Sequence, residues 1–285
     1  VGLLCGLVPA WIVVALHAQR MGAVAPLLCG VGAVALVSWL DDLRSRPAWL
    51  RLLVQTAAVA AGLQSLPDGT AVFQGLLPVG ADRLLTGILW LWFINAYNFM
   101  DGIDGLTAAE TISIGLGLML VANLASIPGP LAGWGAVLAG AALGFLPWNW
   151  HPARLFLGDV GSISLGFLVG WLLVLTAAEG AWAPALILPA FYLVDATITL
   201  LRRMATGHSP LVPHRTHAYQ RAAVRMPHHH VVLRIILGNS LLLGLASYAA
   251  LWPGAWLSML MGAAVIAAAL YLWLHGSATA LLIQR

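Results

Sequence analysis

Ten apolar runs, each near the length of a bilayer-crossing helix, occupy almost the whole chain, at about residues 1–17, 22–40, 49–65, 83–98, 106–124, 131–147, 161–178, 183–201, 231–251 and 254–275. A hydrocarbon core about 30 Å thick takes about 20 apolar residues per helix. Inside it, backbone polar groups must be satisfied within a helix or around a closed barrel. Lipid-facing strands would alternate apolar and polar residues, and these runs do not, so a barrel is excluded. The expected fold is all-α, a polytopic transmembrane helix bundle with about ten helices, forming a single integral membrane domain over 1–285. Charged residues make up 8% of the chain, against roughly 25% in soluble domains. The 30 glycines and many alanines suit helices that approach closely in lipid. No separate soluble domain fits, since the longest polar stretch runs only from about 202 to 230. Cys5 and Cys29 lie in apolar runs at no metal-binding spacing and read as inert packing residues.

Every basic side chain other than His is Arg. Alternating the loops between two faces leaves only Arg20 and Arg83 on one of them and places the other eleven, from Arg44 to Arg285, opposite. By the positive-inside rule the Arg-rich face is cytoplasmic. The same alternation brings Asp41, Asp42, Asn98, Asp101, Asp104, Asp159, His214 and His217 to that face. The opposite loops, 65–82, 127–130 and 179–184, read as connectors.

Four polar clusters carry chemistry. The stretch Asn95-Ala-Tyr-Asn98-Phe-Met-Asp101-Gly102-Ile-Asp104-Gly105-Leu106 sets two carboxylates, two amides and two glycines between membrane-length runs. Charge at membrane depth is costly unless it lines a wet cavity or a site, so this stretch reads as functional. Gly102 and Gly105 let backbone approach a ligand, Asp104 can accept hydrogen bonds from a base edge, and Asn98 can offer an oxygen to a metal. A calcium-type loop is a poor match, because no twelve-residue ligand array ending in Glu follows. Asp41 and Asp42, adjacent at the end of the second run, repel each other unless one is protonated or a cation such as Mg²⁺ or a nearby Arg holds them ionised. Leu155-Phe-Leu-Gly158-Asp159-Val-Gly161-Ser162 opens the seventh run, where a carboxylate and helix N-terminal N–H groups suit metal and phosphate together. A plain helix cap by Asp159 or Ser162 would account for one residue but not for both glycines. Finally, Pro210-Leu-Val-Pro213-His214-Arg215-Thr216-His217-Ala-Tyr219-Gln220-Arg221 interleaves imidazole with guanidinium, whose planar fork matches phosphate oxygens. Together these describe a Mg²⁺-dependent site for a diphosphate substrate beside lipid, with Mn²⁺ as a substitute ion.

These four motifs, in this order, resemble the polyprenyl-phosphate N-acetylhexosamine-1-phosphate transferases, glycosyltransferase family 4 or the WecA/MraY superfamily, over nearly the whole chain. The resemblance implies transfer of a sugar-1-phosphate from a UDP-N-acetylhexosamine to undecaprenyl phosphate, releasing UMP and leaving a lipid-linked sugar diphosphate. The implied setting is the cytoplasmic face of the bacterial inner membrane, with bilayer lipid as a further partner and no nucleic acid. A homodimer is the assembly suggested. Carried over residue by residue, Asp41 and Asp42 match the family's aspartate pair, with Asp42 the candidate base toward the lipid phosphate. Asp159 matches a catalytic and metal position and Asn98 a metal position. Asp101, Gly102 and Asp104 match the nucleotide contact, and His214, Arg215 and His217 match the loop that grips diphosphate and sugar. Direct attack by the lipid phosphate is favoured over a covalent aspartyl intermediate. The His-Arg-Thr-His-Ala-Tyr-Gln-Arg string is most similar to the branch that starts O-antigen and related surface polysaccharides. The alternative within the family is the phospho-N-acetylmuramoyl-pentapeptide transferase of peptidoglycan synthesis. The family's first helix is expected before residue 1, so the chain reads as N-terminally short, and its basic residue after the aspartate pair is Arg44, Arg46 or Arg51.

Three further readings complete the set. His228, His229 and His230 are expected at the interface without a catalytic role, and Asp195 is expected to pair with Arg202 rather than point into the cleft. A transporter would place polar groups near mid-membrane and show repeats in its two halves. A lipid-diphosphate phosphatase would use water as acceptor and release free phosphate.

Overall fold

The computed structural model describes residues 2–44, 46–67, 69–208 and 214–276. Twelve α-helices follow one another: α1 Gly2–His17, α2 Met21–Leu43, α3 Ala48–Leu63, α4 Val79–Phe99, α5 Leu106–Leu124, α6 Leu131–Asn149, α7 Gly158–Ala178, α8 Trp182–Ile187, α9 Ala190–Ala205, α10 Ala218–Ala223, α11 His228–Leu251 and α12 Trp256–Gly276. No strand occurs among the described residues. All ten apolar runs are helical, but among the described residues six helices are long and apolar enough to cross a membrane: α2, α5, α6, α7, α11, and α12 with the turn before it. The apolar helices α1 and α3 are shorter, at 16 residues each. Helix α4 carries Asp82, Arg83, Asn95 and Asn98 and is not among the six. The chain is a multi-pass membrane protein.

The eighth run, expected as one helix, is two. Pro189 lacks the N–H that would continue α8, and α9 starts at the next residue. The six-residue α10 lies within the polar loop and was not foreseen. Residues 210–213 of that loop, and Arg285 of the charge assignment, lie outside the described residues.

Helix α7 is the axis of the bundle and is buried almost along its length. Large aromatic side chains fill the space around it. The Trp11 and Trp134 rings stack at 5.5 Å, and Trp171 meets Trp134 edge-on at 5.1 Å. Trp90 stacks on Phe167 at 4.9 Å and donates its indole N–H to the Phe167 carbonyl at 3.0 Å, which satisfies a polar group that lipid could not. The outer surface is apolar instead, with Val13, Leu36, Leu89, Leu241, Val265 and Leu272 exposed, as lipid contact requires. Cys5 and Cys29 are free and belong to this outer surface, which corrects the expectation that they pack inside.

Helix direction gives the bundle two unlike ends. At one, the loop between α3 and α4 is pinned by Asp82, which accepts the backbone N–H groups of Val72 at 3.2 Å and Phe73 at 2.9 Å. Gln74 there donates to the Ala177 carbonyl at 2.8 Å, and Arg83 to the Leu63 carbonyl at 3.2 Å. These are connector contacts. The other end gathers the C-termini of α2, α4, α6 and α9 with the N-termini of α3, α5, α7 and α11, and it carries all four polar clusters.

Candidate active site

The paired carboxylates have different surroundings. Asp41, in the last turn of α2, accepts the Arg46 backbone N–H on one oxygen and the Arg51 guanidinium on the other, at 2.8 Å, so it ties the α2–α3 turn together. Asp42 is exposed and has no hydrogen-bond partner among the described residues. Arg51 also reaches Asp159 in the first turn of α7, at 3.4 Å. Of the three arginines that follow the pair, Arg51 is the one that joins it to Asp159. Arg51 thus joins Asp41 to Asp159, and both Asp41 and Asp42 lie within electrostatic range of Asp159.

Asn98, in the last turn of α4, closes this group. Its amide oxygen accepts a hydrogen bond from the Ser162 hydroxyl, one turn into α7. That hydroxyl points across to α4, so Ser162 does not cap its own helix. Asp101 follows in the α4–α5 loop. Burial pushes its carboxyl up to about 6, opposed by a hydrogen bond from Thr107 and reinforced by the Asp159 charge.

Asp104 is engaged by the protein itself. Burial works against its ionisation, but hydrogen bonds from His151 and the Ala153 backbone and the nearby His228 outweigh this and hold its carboxyl below the usual range. The His151 ring nitrogen lies 2.7 Å from Asp104 Oδ2, and His228 Nδ1 lies 3.3 Å from the same oxygen. His228, expected at the interface, therefore reaches the loop assigned to the nucleotide. The two glycines also serve the fold. Gly105 adopts φ +79° where α5 begins, a left-handed conformation that L side chains disfavour. Gly102 lies directly beneath the Tyr219 hydroxyl, where a Cβ would collide with it.

The basic loop divides into three roles. Arg215 is exposed. His214 is half-buried, and burial first, then His217 and Arg203, lower its pKa to about 4, so at neutral pH it is an uncharged hydrogen-bonding group. His217 is buried, stacked on His214 and Tyr219, with Nδ1 3.3 Å from Asp195. Asp195 also accepts the backbone N–H groups of Ala218 at 3.0 Å and Tyr219 at 3.3 Å and the Thr199 hydroxyl at 3.1 Å. Its expected pairing with Arg202 is thus corrected. Asp195 caps α10 from a neighbouring helix, because four donors converge on it, while Arg202 donates to Tyr271 at 3.2 Å and lies 3.0 Å from His275. Tyr219 in turn donates to the Phe99 carbonyl at 2.8 Å and straps α10 onto the end of α4.

Arg51, Asp41, Asp42, Asp159, Asn98 and Asp101 therefore gather at one end of the bundle, linked by the Arg51 ion pairs, the Asn98–Ser162 hydrogen bond and the field of Asp159, and α10 is held against the end of α4 by Tyr219 and His217. Oxygen donors flank a guanidinium, and the basic loop leads into α10 at the same end of the bundle. This arrangement suits a cation-bound diphosphate. Sequence reasoning missed His151 and His228, whose separation from Asp104 in the chain carries no signal, and Ser162 as the partner of Asn98. It also missed an apolar groove of ≈ 380 Å³ between α4, α7, α8 and α9, lined by Trp92, Phe93, Val174, Trp182, Leu186 and Leu193 among others.

The family model described as glycosyl transferase family 4 matches residues 24–177, which include the pocket and Asp104 but not the basic loop. A decaprenyl-phosphate N-acetylglucosaminephosphotransferase of Mycolicibacterium smegmatis is 37% identical over 237 residues, 75% of this chain and 58% of that protein. A probable undecaprenyl-phosphate N-acetylglucosaminyl 1-phosphate transferase of Bacillus subtilis is 29% identical over 222 residues, covering 73% and 61%. A phospho-N-acetylmuramoyl-pentapeptide-transferase of Moorella thermoacetica is 43% identical over 96 residues, covering 34% and 30%. The chain spans less than two thirds of the length of each of these relatives.

Proposed function

The chain belongs to glycosyl transferase family 4, and on that premise we propose that it transfers an N-acetylhexosamine-1-phosphate from a UDP-sugar to undecaprenyl phosphate, at the cytoplasmic face of a bacterial inner membrane. The observation that carries this reading is the Arg51 guanidinium set between Asp41 and Asp159, with Asn98 held against Ser162 beside them. A merely solvated helix end would not draw α2, α3 and α7 together through charge and tie α4 to α7 by a hydrogen bond.

In this reading an oxygen of the lipid phosphate forms a bond to the phosphorus that bears the sugar. The bond from that phosphorus to the bridging oxygen breaks, and the electron pair leaves on UMP. Asp42, exposed and unengaged among the described residues, takes the proton of the attacking phosphate. Asp41, fully used by Arg46 and Arg51, positions Arg51 instead. Arg215 pairs with the diphosphate, His214 donates a neutral hydrogen bond, and His217 holds both in place through Asp195. The carboxylate of Asp159 and the amide oxygen of Asn98 form an all-oxygen donor set that fits Mg²⁺, and these two residues would hold it. When bound, the ion neutralises charge on the phosphate oxygens. The groove between α4 and α9 suits the polyprenyl chain, since Phe93 at its near edge lies five residues, or about 7 Å of helix, from Asn98.

Among the acceptor products, we favour a lipid-linked sugar that starts an O-antigen-like surface polysaccharide, on the His-Arg-Thr-His-Ala-Tyr-Gln-Arg string. The peptidoglycan reaction is the second reading, favoured by the reach of His228 to Asp104. Membranes carrying the chain, offered undecaprenyl phosphate and either UDP-N-acetylhexosamines or UDP-N-acetylmuramoyl-pentapeptide, are scored for UMP release and labelled lipid. Turnover with the simple sugars is expected, and it should disappear in chelator and return with Mg²⁺ or Mn²⁺. Free phosphate without UMP would refute transfer, and turnover with the pentapeptide substrate alone would favour the second reading.

A further inference from the structure

Outside the acidic pocket, three metal-ligating side chains from separate segments meet: Asp104 of the α4–α5 loop, His151 of the α6–α7 loop and His228, the first residue of α11. One ligand atom from each lies within 4.8 Å of the others. All three are half-buried, so water reaches them. Their hydrogen bonding conflicts. His228 Nδ1 is 3.3 Å from the Asp104 backbone N–H, which needs it as an acceptor, and also 3.3 Å from Asp104 Oδ2, which needs it as a donor. No single tautomer serves both contacts, and the same carboxylate oxygen also meets His151 Nδ1 at 2.7 Å and accepts the Ala153 N–H at 3.2 Å. A cation among these lone pairs satisfies the carboxylate and both imidazoles at once.

We propose that Asp104, His151 and His228 form a binding site for a transition-metal ion of the zinc class, with water completing its shell. Two imidazoles among three ligands make a nitrogen-rich set, which favours zinc, cobalt or nickel over the oxygen-preferring Mg²⁺. A tetrahedral ion about 2.0–2.1 Å from each donor sets neighbouring ligand atoms about 3.3 Å apart. The two contacts to Asp104, at 2.7 and 3.3 Å, are near that spacing, and the two imidazole ligand atoms lie within 4.8 Å of each other. The carboxylate of Asp104 is the anionic member of the set, and zinc binding requires it deprotonated. The donors belong to three segments, and the bound ion staples the start of α11 to both loops. His229, whose ring stacks on His151 at 5.7 Å, walls the site without being needed as a ligand. The proposal rests on these side chains and not on the transfer reading, so either can fail without the other.

The test is zinc retention by the full chain, purified in detergent, stripped with chelator and dialysed against limiting Zn²⁺. About one zinc per chain is expected, with a raised unfolding temperature. His151→Gln and His228→Gln should each weaken binding at least about tenfold, while Asp159→Asn and His230→Gln should leave it unchanged. X-ray absorption of the zinc-loaded wild type should show imidazole scattering, a result that needs no variant to fold. Wild-type protein that retains no zinc, a zinc shell without imidazole, or loss of binding in Asp159→Asn but not in the two histidine variants would overturn the site.

Discussion

Arg51 holds two carboxylates from different helices at 2.8 and 3.4 Å, so removing it leaves like charges facing one another with no counter-ion. Arg51→Ala should lower turnover by about two orders of magnitude, on the usual loss when a positioned charge is removed beside reacting phosphates. Arg51→Lys should recover only part of this, because an ammonium cannot present the guanidinium fork to two acids. Initial rates of UMP release measure both. Asp101 gives a second expectation, read from its proton rather than its contacts. Burial raises its folded pKa from the ordinary 3.8 to about 6, so within that window the folded chain binds more protons than the unfolded one. Stability then falls as pH rises through the window, by on the order of 3 kcal/mol, and the fall is complete above about pH 6. Melting of metal-free protein in detergent should show wild type losing ground to Asp101→Asn between those two pH values. Parallel curves would remove Asp101 from this role.

The six residues of α10 are too few to hold a helix in isolation, and what fixes them is Asp195 in α9, which takes two of their first N–H groups and the His217 ring. Asp195→Ala orphans those donors in a buried place and should cost on the order of 3 kcal/mol. It should also release the strap that Tyr219 makes to Phe99, seen as a lower melting temperature and faster tryptic cleavage after Arg215. Unchanged cleavage would show that α10 is held by other contacts. This element also marks where linear reading stops. The ten runs were legible because hydropathy needs no tertiary partner, and the shared face of Asp41, Asn98 and Asp159 followed from counting loops. The break at Pro189 is legible in principle, since a proline within an apolar run removes a backbone donor, but hydropathy alone runs across it as one span. The rest was not readable. Gln220 accepts a hydrogen bond from the His217 N–H, a local capping box, but nothing in Ala-Tyr-Gln-Arg-Ala-Ala announces that a second cap comes from another element. Nothing in the spacing of Asp104, His151 and His228 announces that they meet.

The whole bundle sorts its surface by environment: an apolar wall toward lipid, a connector end organised by Asp82, and an opposite end that gathers the acidic pocket and the basic loop. A transporter would need its polar groups along a path through the middle. Here an apolar groove between α4, α7, α8 and α9 instead begins at Phe93 and Leu193 and runs to Phe73 and Gln74 at the connector end. An acceptor with a long hydrocarbon tail would use this wall, and a water-soluble donor would not, so the two substrates should respond differently to the same obstruction. Val174 lines the groove from α7 and is only partly buried, so an indole can replace its isopropyl group by projecting into the groove rather than into the core. Val174→Trp should raise KM for undecaprenyl phosphate about tenfold, equivalent to about 1.4 kcal/mol of lost tail contact. It should leave KM for the UDP-sugar and the rate with a short-chain polyprenyl phosphate near the wild-type values, because neither reaches the groove. Steady-state kinetics in mixed micelles, varying each substrate in turn, separates these outcomes. An equal loss for the long and the short acceptor would place the tail elsewhere on the lipid-facing wall and leave the groove as packing between α4 and the broken pair α8 and α9.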